Sequence, residues 1–334
     1  MNPMKLLRGA GGWAVVALCI LAGLAVLLTD LGRVTAALAA FPHRLIPVIL
    51  AFVSLNYLLR FAKWEYFLRR LGVRIALRDS LWVFFASFVM VLSPGKLGEV
   101  VKSLLLRNRY GIPVSRTAPI VLAERLTDLL GLMCLAAFGF SRFAWGGKTL
   151  IVCSILLIVG LAAATRPAFW RVLDRAAGRL APGKPRLRTM IRALEESTRM
   201  LLTLPALLVT VPLSAFSWAW EGAALYLIFG GLGVARPELF GLSVFAHAFG
   251  SITGALSFLP GGLLVTEGTL SLFFISAGIA GDAAVTATLL IRAVTLWFAI
   301  LLGLCVFSAG ARADDLRLDP AAAPRPSDGE RIPA

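Results

Sequence analysis

Nine ionisable side chains fall inside strongly apolar stretches of this 334-residue chain: Lys96, Lys102, Arg125 and Arg292, against Glu99, Glu124, Asp128, Glu221 and Glu267. Each would cost about 3 kcal/mol if it met hydrocarbon unpaired. They must therefore be paired or wet. Two symmetric pairs suggest themselves, Glu99 with Arg125 and Glu267 with Arg292. Each of these glutamates follows a Pro-Gly break, in SPGKLGE at 93–99 and in LPGGLLVTEG at 259–268. Pro94 lacks an N–H and disfavours a helical Ser93, and Gly95 relieves steric limits, so the helix must break there. Pro260, Gly261 and Gly262 impose the same break. Irregular backbone inside a membrane is tolerated only where protein buries it or water reaches it. A break also leaves the N–H groups of a new helix start, expected near Leu97 and Leu263, and such ends attract anions. With Lys96 at the first break and arginines on the flanking spans, a phosphate or another anionic headgroup is the natural guest. The candidate binding set is Pro94, Gly95, Lys96, Gly98, Glu99, Lys102, Glu124, Arg125, Asp128, Pro260, Gly261, Gly262, Glu267 and Arg292. The blander reading is that the ion pairs only lock two hairpins to their neighbours.

The elements that hold these residues are membrane spans. The chain is 59% hydrophobic and 15% charged, with a mean hydropathy of +0.85, whereas a soluble domain is about half apolar and a quarter charged. Uncharged runs at 9–29, 200–220, 239–266 and 293–311 each approach or exceed the roughly 20 residues that cross a bilayer as a helix. Such continuous runs disfavour a β-barrel, whose strands alternate. Spans are expected near 10–29, 45–62, 118–140, 149–165, 205–230 and 285–308, with broken apolar regions at 80–106 and 240–280. The fold class is an all-α polytopic membrane protein of about six to eight transmembrane helices, including two broken re-entrant hairpins in an inverted repeat. Residues 1–311 form the membrane domain and 312–334 a disordered cytoplasmic tail.

The net charge of +15 points to no nucleic acid, because loop arginines follow the positive-inside rule. If each broken region enters and leaves on one side, 24 of the 33 basic residues lie in cytoplasmic loops and five outside. Six of the 24 fall at 60–79. Both termini are then cytoplasmic, and we expect a bacterial inner-membrane protein. Glu124, Arg125 and Asp128 lie about one turn into their span, within reach of cytoplasmic water. Within the cytoplasmic loop 166–199, Phe169, Val172, Leu173, Ala176, Ala177 and Leu180 recur at helical spacing opposite Arg171, Arg175 and Arg179, which marks an amphipathic basic helix for the headgroup plane. The four scattered cysteines and two histidines suggest no metal, cofactor or disulfide. His247, on an apolar run with no nearby partner, reads as a hydrogen-bonded packing residue rather than a proton relay, and Trp218 and Trp220 as packing or interface aromatics.

The two halves also repeat. Trp64-Glu65 and Leu71-Gly72-Val73 precede the first break as Trp220-Glu221 and Leu232-Gly233-Val234 precede the second. Pro94 to Arg125 is 31 residues and Pro260 to Arg292 is 32. In the charge-derived topology the two units run in opposite senses. Inverted repeats with discontinuous helices are the architecture in which a midplane site opens alternately to each side.

SPGKLGE followed by Leu104, Leu105 and Arg107, Glu124-Arg125 with Asp128, and PGGLLVTEG with Arg292 together resemble the lysylphosphatidylglycerol synthase transmembrane domain family, also called flippase-like membrane proteins. The resemblance covers most of 10–308. It departs from the pattern at Leu264, where a small residue is expected. It implies movement of lipids, aminoacylated phosphatidylglycerol among them, between leaflets. Family members can carry a soluble synthase domain; only 23 residues follow from Arg312, so the resemblance lends no support to aminoacyl transfer. The leading expectation is a non-enzymatic flippase for an anionic or aminoacylated phospholipid or a polyprenyl-phosphate lipid, with membrane lipids as partners and a separate lipid-modifying enzyme as a possible one. The alternatives are an integral-membrane enzyme acting on a lipid, and a scaffold for a lipid-synthesis complex.

Overall fold

The computed structural model describes residues 36, 39–93, 99–143, 151, 154–155, 159–161, 165–180 and 185–310. The expected span at 10–29, the first-motif residues Pro94, Gly95, Lys96 and Gly98, most of 149–165 and the tail 312–334 lie outside the described residues. What is described is helical. α1 runs Ile46–Arg70, α2 Leu77–Ala86 with a 3-10 turn at Ser87–Met90, α3 Val101–Tyr110 and α4 Val114–Phe143. Two amphipathic helices follow, α5 (Pro167–Leu180) and α6 (Pro185–Leu201). The second set is α7 (Leu204–Gly231), α8 (Leu239–Leu256), α9 (Val265–Ser276), α10 (Gly281–Arg292), a π turn at Ala293–Trp297 and α11 (Phe298–Gly310).

Among the described residues, His43–Arg70, Leu239–Leu256 and Gly281–Gly310 can each cross a bilayer by length and composition, and Leu187–Leu201 with Leu204–Gly231, bent by 71°, would make a fourth if the bent pair is one span. The distribution of side chains is that of a protein dissolved in lipid. Leu204, Leu208, Leu301 and Leu272 are more than 60% exposed, while Lys63, Lys102 and Asp128 are buried. Hydrocarbon reverses the usual preference: an apolar outer face is free to stand exposed, and charges are driven inward to partners. The protein is an all-α polytopic membrane protein.

The two sets repeat each other down to their caps. α1 ends with Val73 N–H donating to the Leu68 carbonyl at 2.9 Å and Gly72 at φ +68°, while α7 ends with Val234 N–H donating to Phe229 at 3.0 Å and Gly233 at φ +77°. Both are Schellman closures, in which a left-handed residue lets the chain turn back and satisfy the last carbonyls. The Leu-Gly-Val matches in the sequence are these caps. α3 and α9 likewise each end on a positive-φ glycine, Gly111 and Gly278. The sets interlock. α7 packs along α1, α8 packs on α4, and the first hairpin, through α2 and its 3-10 turn, packs on α11. Each hairpin is thereby seated on the last helix of the other set.

One expectation requires correction here. The span placed at 45–62 continues as helix to Arg70, so Arg60 and Lys63 belong to its buried face and leave the loop count. The tally becomes 22 against five, with its direction unchanged. The amphipathic helix expected over 169–180 is present as α5; a second helix follows it, and α6 buries Ile191, Ser197 and Thr198 as it packs on α4. Arg188 joins them by donating to Asp174 through Nε at 3.0 Å, and these bonds hold that carboxyl below the usual carboxylate range.

Candidate functional site

A cavity of about 310 Å³ opens where the two sets meet. Its walls bring together Tyr57 and Arg60 of α1, Arg125 and Asp128 of α4, Glu221 of α7, His247 of α8, Gly261 and Gly262 of the second break, and Arg292 of α10. Val91, just before the first break, lines it as well. A Cβ placed on Gly261 would meet the Leu92 side chain at 2.9 Å. The chain entering the first break therefore touches the second break directly.

Among the described residues, each cation lining the cavity is answered. Arg125 pairs with Glu99 at 3.0 Å and with Asp128, one turn along its own helix, at 3.4 Å. Arg60 stands 4.0 Å from Glu99, and its guanidinium lies 5.8 Å from the Trp218 ring centre. Lys63 is buried, pairs with Asp128 and donates to the Ser214 hydroxyl at 2.7 Å. At the second break Arg292 donates to Glu267 at 2.6 Å through Nε, and its second terminal nitrogen donates to the Gly261 carbonyl at 2.7 Å. One guanidinium thus satisfies both a carboxylate and a carbonyl that the break removed from any helix, as buried irregular backbone requires. The π turn follows Arg292 at once, and its Thr295 carbonyl accepts from the Tyr57 hydroxyl at 2.5 Å. Single π turns frequently mark functional positions in helices.

The cavity mouth is apolar. Phe258 is 72% exposed and Leu259 42% exposed, and both line the opening. A charged interior with a greasy lip matches an amphiphile that leaves its tails in lipid.

The family model for the lysylphosphatidylglycerol synthase TM region matches residues 14–303. The chain belongs to that family. Three archaeal relatives agree with it. Two are UPF0104 membrane proteins of Methanothermobacter thermautotrophicus, one 25% identical over 62% of this chain and 67% of its own, the other 29% identical over 66% and 70%. The third, UPF0104 membrane protein MJ1078 of Methanocaldococcus jannaschii, is 27% identical over 66% of this chain and 93% of its own.

The lysylphosphatidylglycerol synthase TM motifs are distributed unevenly around the cavity. Arg125, Asp128, Gly261, Gly262 and Arg292 line it, Glu99 and Glu267 stand behind as partners of the arginines, and Pro260 opens the 3-10 turn at the break. The two symmetric ion pairs expected from the sequence are present. Lys102 and Glu124 go elsewhere: they pair at 2.5 Å, with the ammonium 4.7 Å from the Trp64 ring centre and 5.3 Å from that of Phe84, and neither lines the cavity. That pair locks α3 to α4. Glu124, Arg125 and Asp128 are not near the end of their helix. α4 begins at Val114, which puts them about three turns in, and Glu124 and Asp128 are buried. The helix after the second break starts at Val265, two residues later than expected, and carries Glu267 in its first turn. Its positive end is thus already met by a carboxylate of the chain.

His247 does have a partner: its Nε2 lies 2.9 Å from Glu221. Tyr57, Arg60 and Lys63 are additions that sequence reasoning missed. Their signal was available in the spacing, because Val53, Asn56, Tyr57, Arg60, Lys63, Trp64 and Phe67 fall on one helical face. Leu264 adopts φ +68°, a left-handed conformation natural to a small residue and costing a leucine roughly 1–3 kcal/mol.

Proposed function

We propose that this protein carries a phospholipid between the two leaflets of its membrane, with the headgroup in the cavity and the acyl chains outside it in lipid. One observation carries the reading: three arginines, from α1, α4 and α10, converge on a cavity at the junction of two repeated units, in a protein whose outer surface is apolar. Arginine forks bind phosphate oxygens in pairs, and each such bond persists when a carboxylate partner is exchanged for a phosphate. The exchangeable partners are Glu99 for Arg125 and Glu267 for Arg292. The exposed Phe258 and Leu259 give the first methylenes of the tails an apolar surface at the mouth. The two units insert with opposite senses, both termini cytoplasmic, so that rocking of one unit against the other opens the cavity to one leaflet and then the other. The loop helix α5 lies against the cytoplasmic headgroups, where Arg171, Arg175 and Arg179 favour anionic lipid.

Purified protein in vesicles, with a fluorescent phosphatidylglycerol quenched from outside, tests this. Exchange should be protein-dependent, and Arg125→Ala or Arg292→Ala should each slow it about tenfold or more. That is the consequence of losing a charge-assisted hydrogen bond of about 1.5–3 kcal/mol. Unchanged exchange in both variants discards the site, and chemical turnover of the lipid would replace carriage with catalysis.

A further inference from the structure

The mechanism above leaves one pair of titratable groups in the cavity wall unused. His247 is 5% exposed and Glu221 4%. His247 Nε2 and Glu221 Oε2 are 2.9 Å apart, and the other imidazole nitrogen, Nδ1, is buried with no hydrogen-bond partner among the described residues. A buried ring nitrogen left unsatisfied is costly in a hydrogen-bonded interior, and His247 is one of the residues that line the cavity. The ring also lies 6.1 Å from Trp218, whose other neighbour is the Arg60 guanidinium.

The charges around the pair decide what that occupant does. Those lining the cavity, with their direct partners, are Arg60, Lys63, Arg125 and Arg292 against Glu99, Asp128, Glu221 and Glu267. They come from α1, α3's approach, α4, α7, α9 and α10, and Tyr57 is the one further titratable group on the wall among the described residues. Among the described residues this set is neutral when His247 is neutral. An entering phosphate diester adds one negative charge, and an uncompensated charge in a low-dielectric site is expensive. One proton restores neutrality. An imidazole can accept that proton, and the Glu221 carboxylate 2.9 Å from Nε2 stands opposite the charge it would carry.

We propose that His247, paired with Glu221, binds one proton together with each anionic headgroup, so that lipid and proton are carried as a neutral unit. The proton adds to the imidazole from water on the side where the headgroup enters, and returns to water on the side where it leaves. No other bond changes. The inference rests on the carrier reading of the preceding section and names its coupling ion.

The chain has two histidines, so His43→Gln, at an exposed position away from the cavity, leaves His247 as the sole imidazole. Protein labelled with ¹⁵N-histidine is placed in nanodiscs of phosphatidylcholine alone or with phosphatidylglycerol. At fixed neutral pH, the imidazolium fraction should rise severalfold with the anionic lipid; an equal fraction in both discs overturns proton binding. In vesicles, an imposed pH gradient should change the rate of phosphatidylglycerol exchange severalfold. His247→Gln and Glu221→Gln should bring the ratio of driven to undriven exchange to one, whatever their undriven rate. Exchange by the unaltered protein that ignores the gradient overturns coupling and leaves the carrier reading standing. No exchange at all, beside a positive nanodisc result, overturns carriage and keeps the proton site.

Discussion

Lys63 shows how a single buried charge is held in this protein. Its ammonium reaches Asp128 and the hydroxyls of Ser214 and Thr127, the last at 3.4 Å, so α1, α4 and α7 meet at one atom. Removing one member of such a set leaves the other charged and unpartnered, which costs about 3–5 kcal/mol, whereas replacing both by apolar residues can cost little. Asp128→Asn should therefore lower the thermal midpoint in detergent sharply, and Lys63→Met with Asp128→Leu should recover much of the loss. A double variant as unstable as the single one would mean that the pair holds more than its own charge. The Glu99–Arg125 and Glu267–Arg292 pairs were legible beforehand because each glutamate closely follows a Pro-Gly break and the arginines stand 31 and 32 residues after the two prolines. Lys63 was not, because its place in a helix or a loop depended on where an apolar run was judged to end.

At the scale of elements, the helices come together at small residues. A Cβ on Gly222 of α7 would lie 2.6 Å from the Val244 Cα of α8, and one on Gly131 of α4 would lie 2.6 Å from the Ala215 backbone nitrogen of α7. Membrane helices lack a hydrophobic drive toward each other, so they associate by close packing, and glycine lets backbones approach. Gly222→Val should destabilise by about 1–3 kcal/mol or more through overpacking. Gly230→Val, where nothing stands within 4 Å, should change stability by less than about 0.5 kcal/mol. Thermal unfolding of both variants checks the contrast, and equal effects would mean that the α7–α8 contact is loose. The hairpin boundaries were readable from Pro-Gly and Leu-Gly-Val, because proline and left-handed glycine act locally. The docking of α6 on α4 was not, since an amphipathic basic stretch has the same pattern whether its apolar face meets lipid or another helix.

For the whole molecule, the decisive property is the relation between the two repeated sets. If they insert with opposite senses, the loop after α1 and the loop after α7 lie on opposite sides of the membrane. Arg74→Cys and Ala235→Cys, both at exposed positions, place one thiol in each loop. In a background without native cysteines, an impermeant maleimide should label Ala235→Cys from outside and Arg74→Cys only after the membrane is opened. Labelling of both from one side would remove the alternating-access argument. Composition and uncharged runs alone determined that this is an all-α polytopic membrane protein, because the cost of burying charge and unpaired backbone in hydrocarbon is a property of segments. Proline and glycine placement alone determined where the second hairpin breaks, because those constraints act on neighbouring residues. The tertiary structure decided that Arg125 and Arg292 face one cavity while Lys102 and Glu124 are sealed in an aromatic box, and that His247 meets Glu221. Those outcomes depend on which helix faces cross, and a crossing is set by packing between whole segments, 22 and 26 residues apart for the two pairs and 167 for the two arginines, which local spacing does not encode.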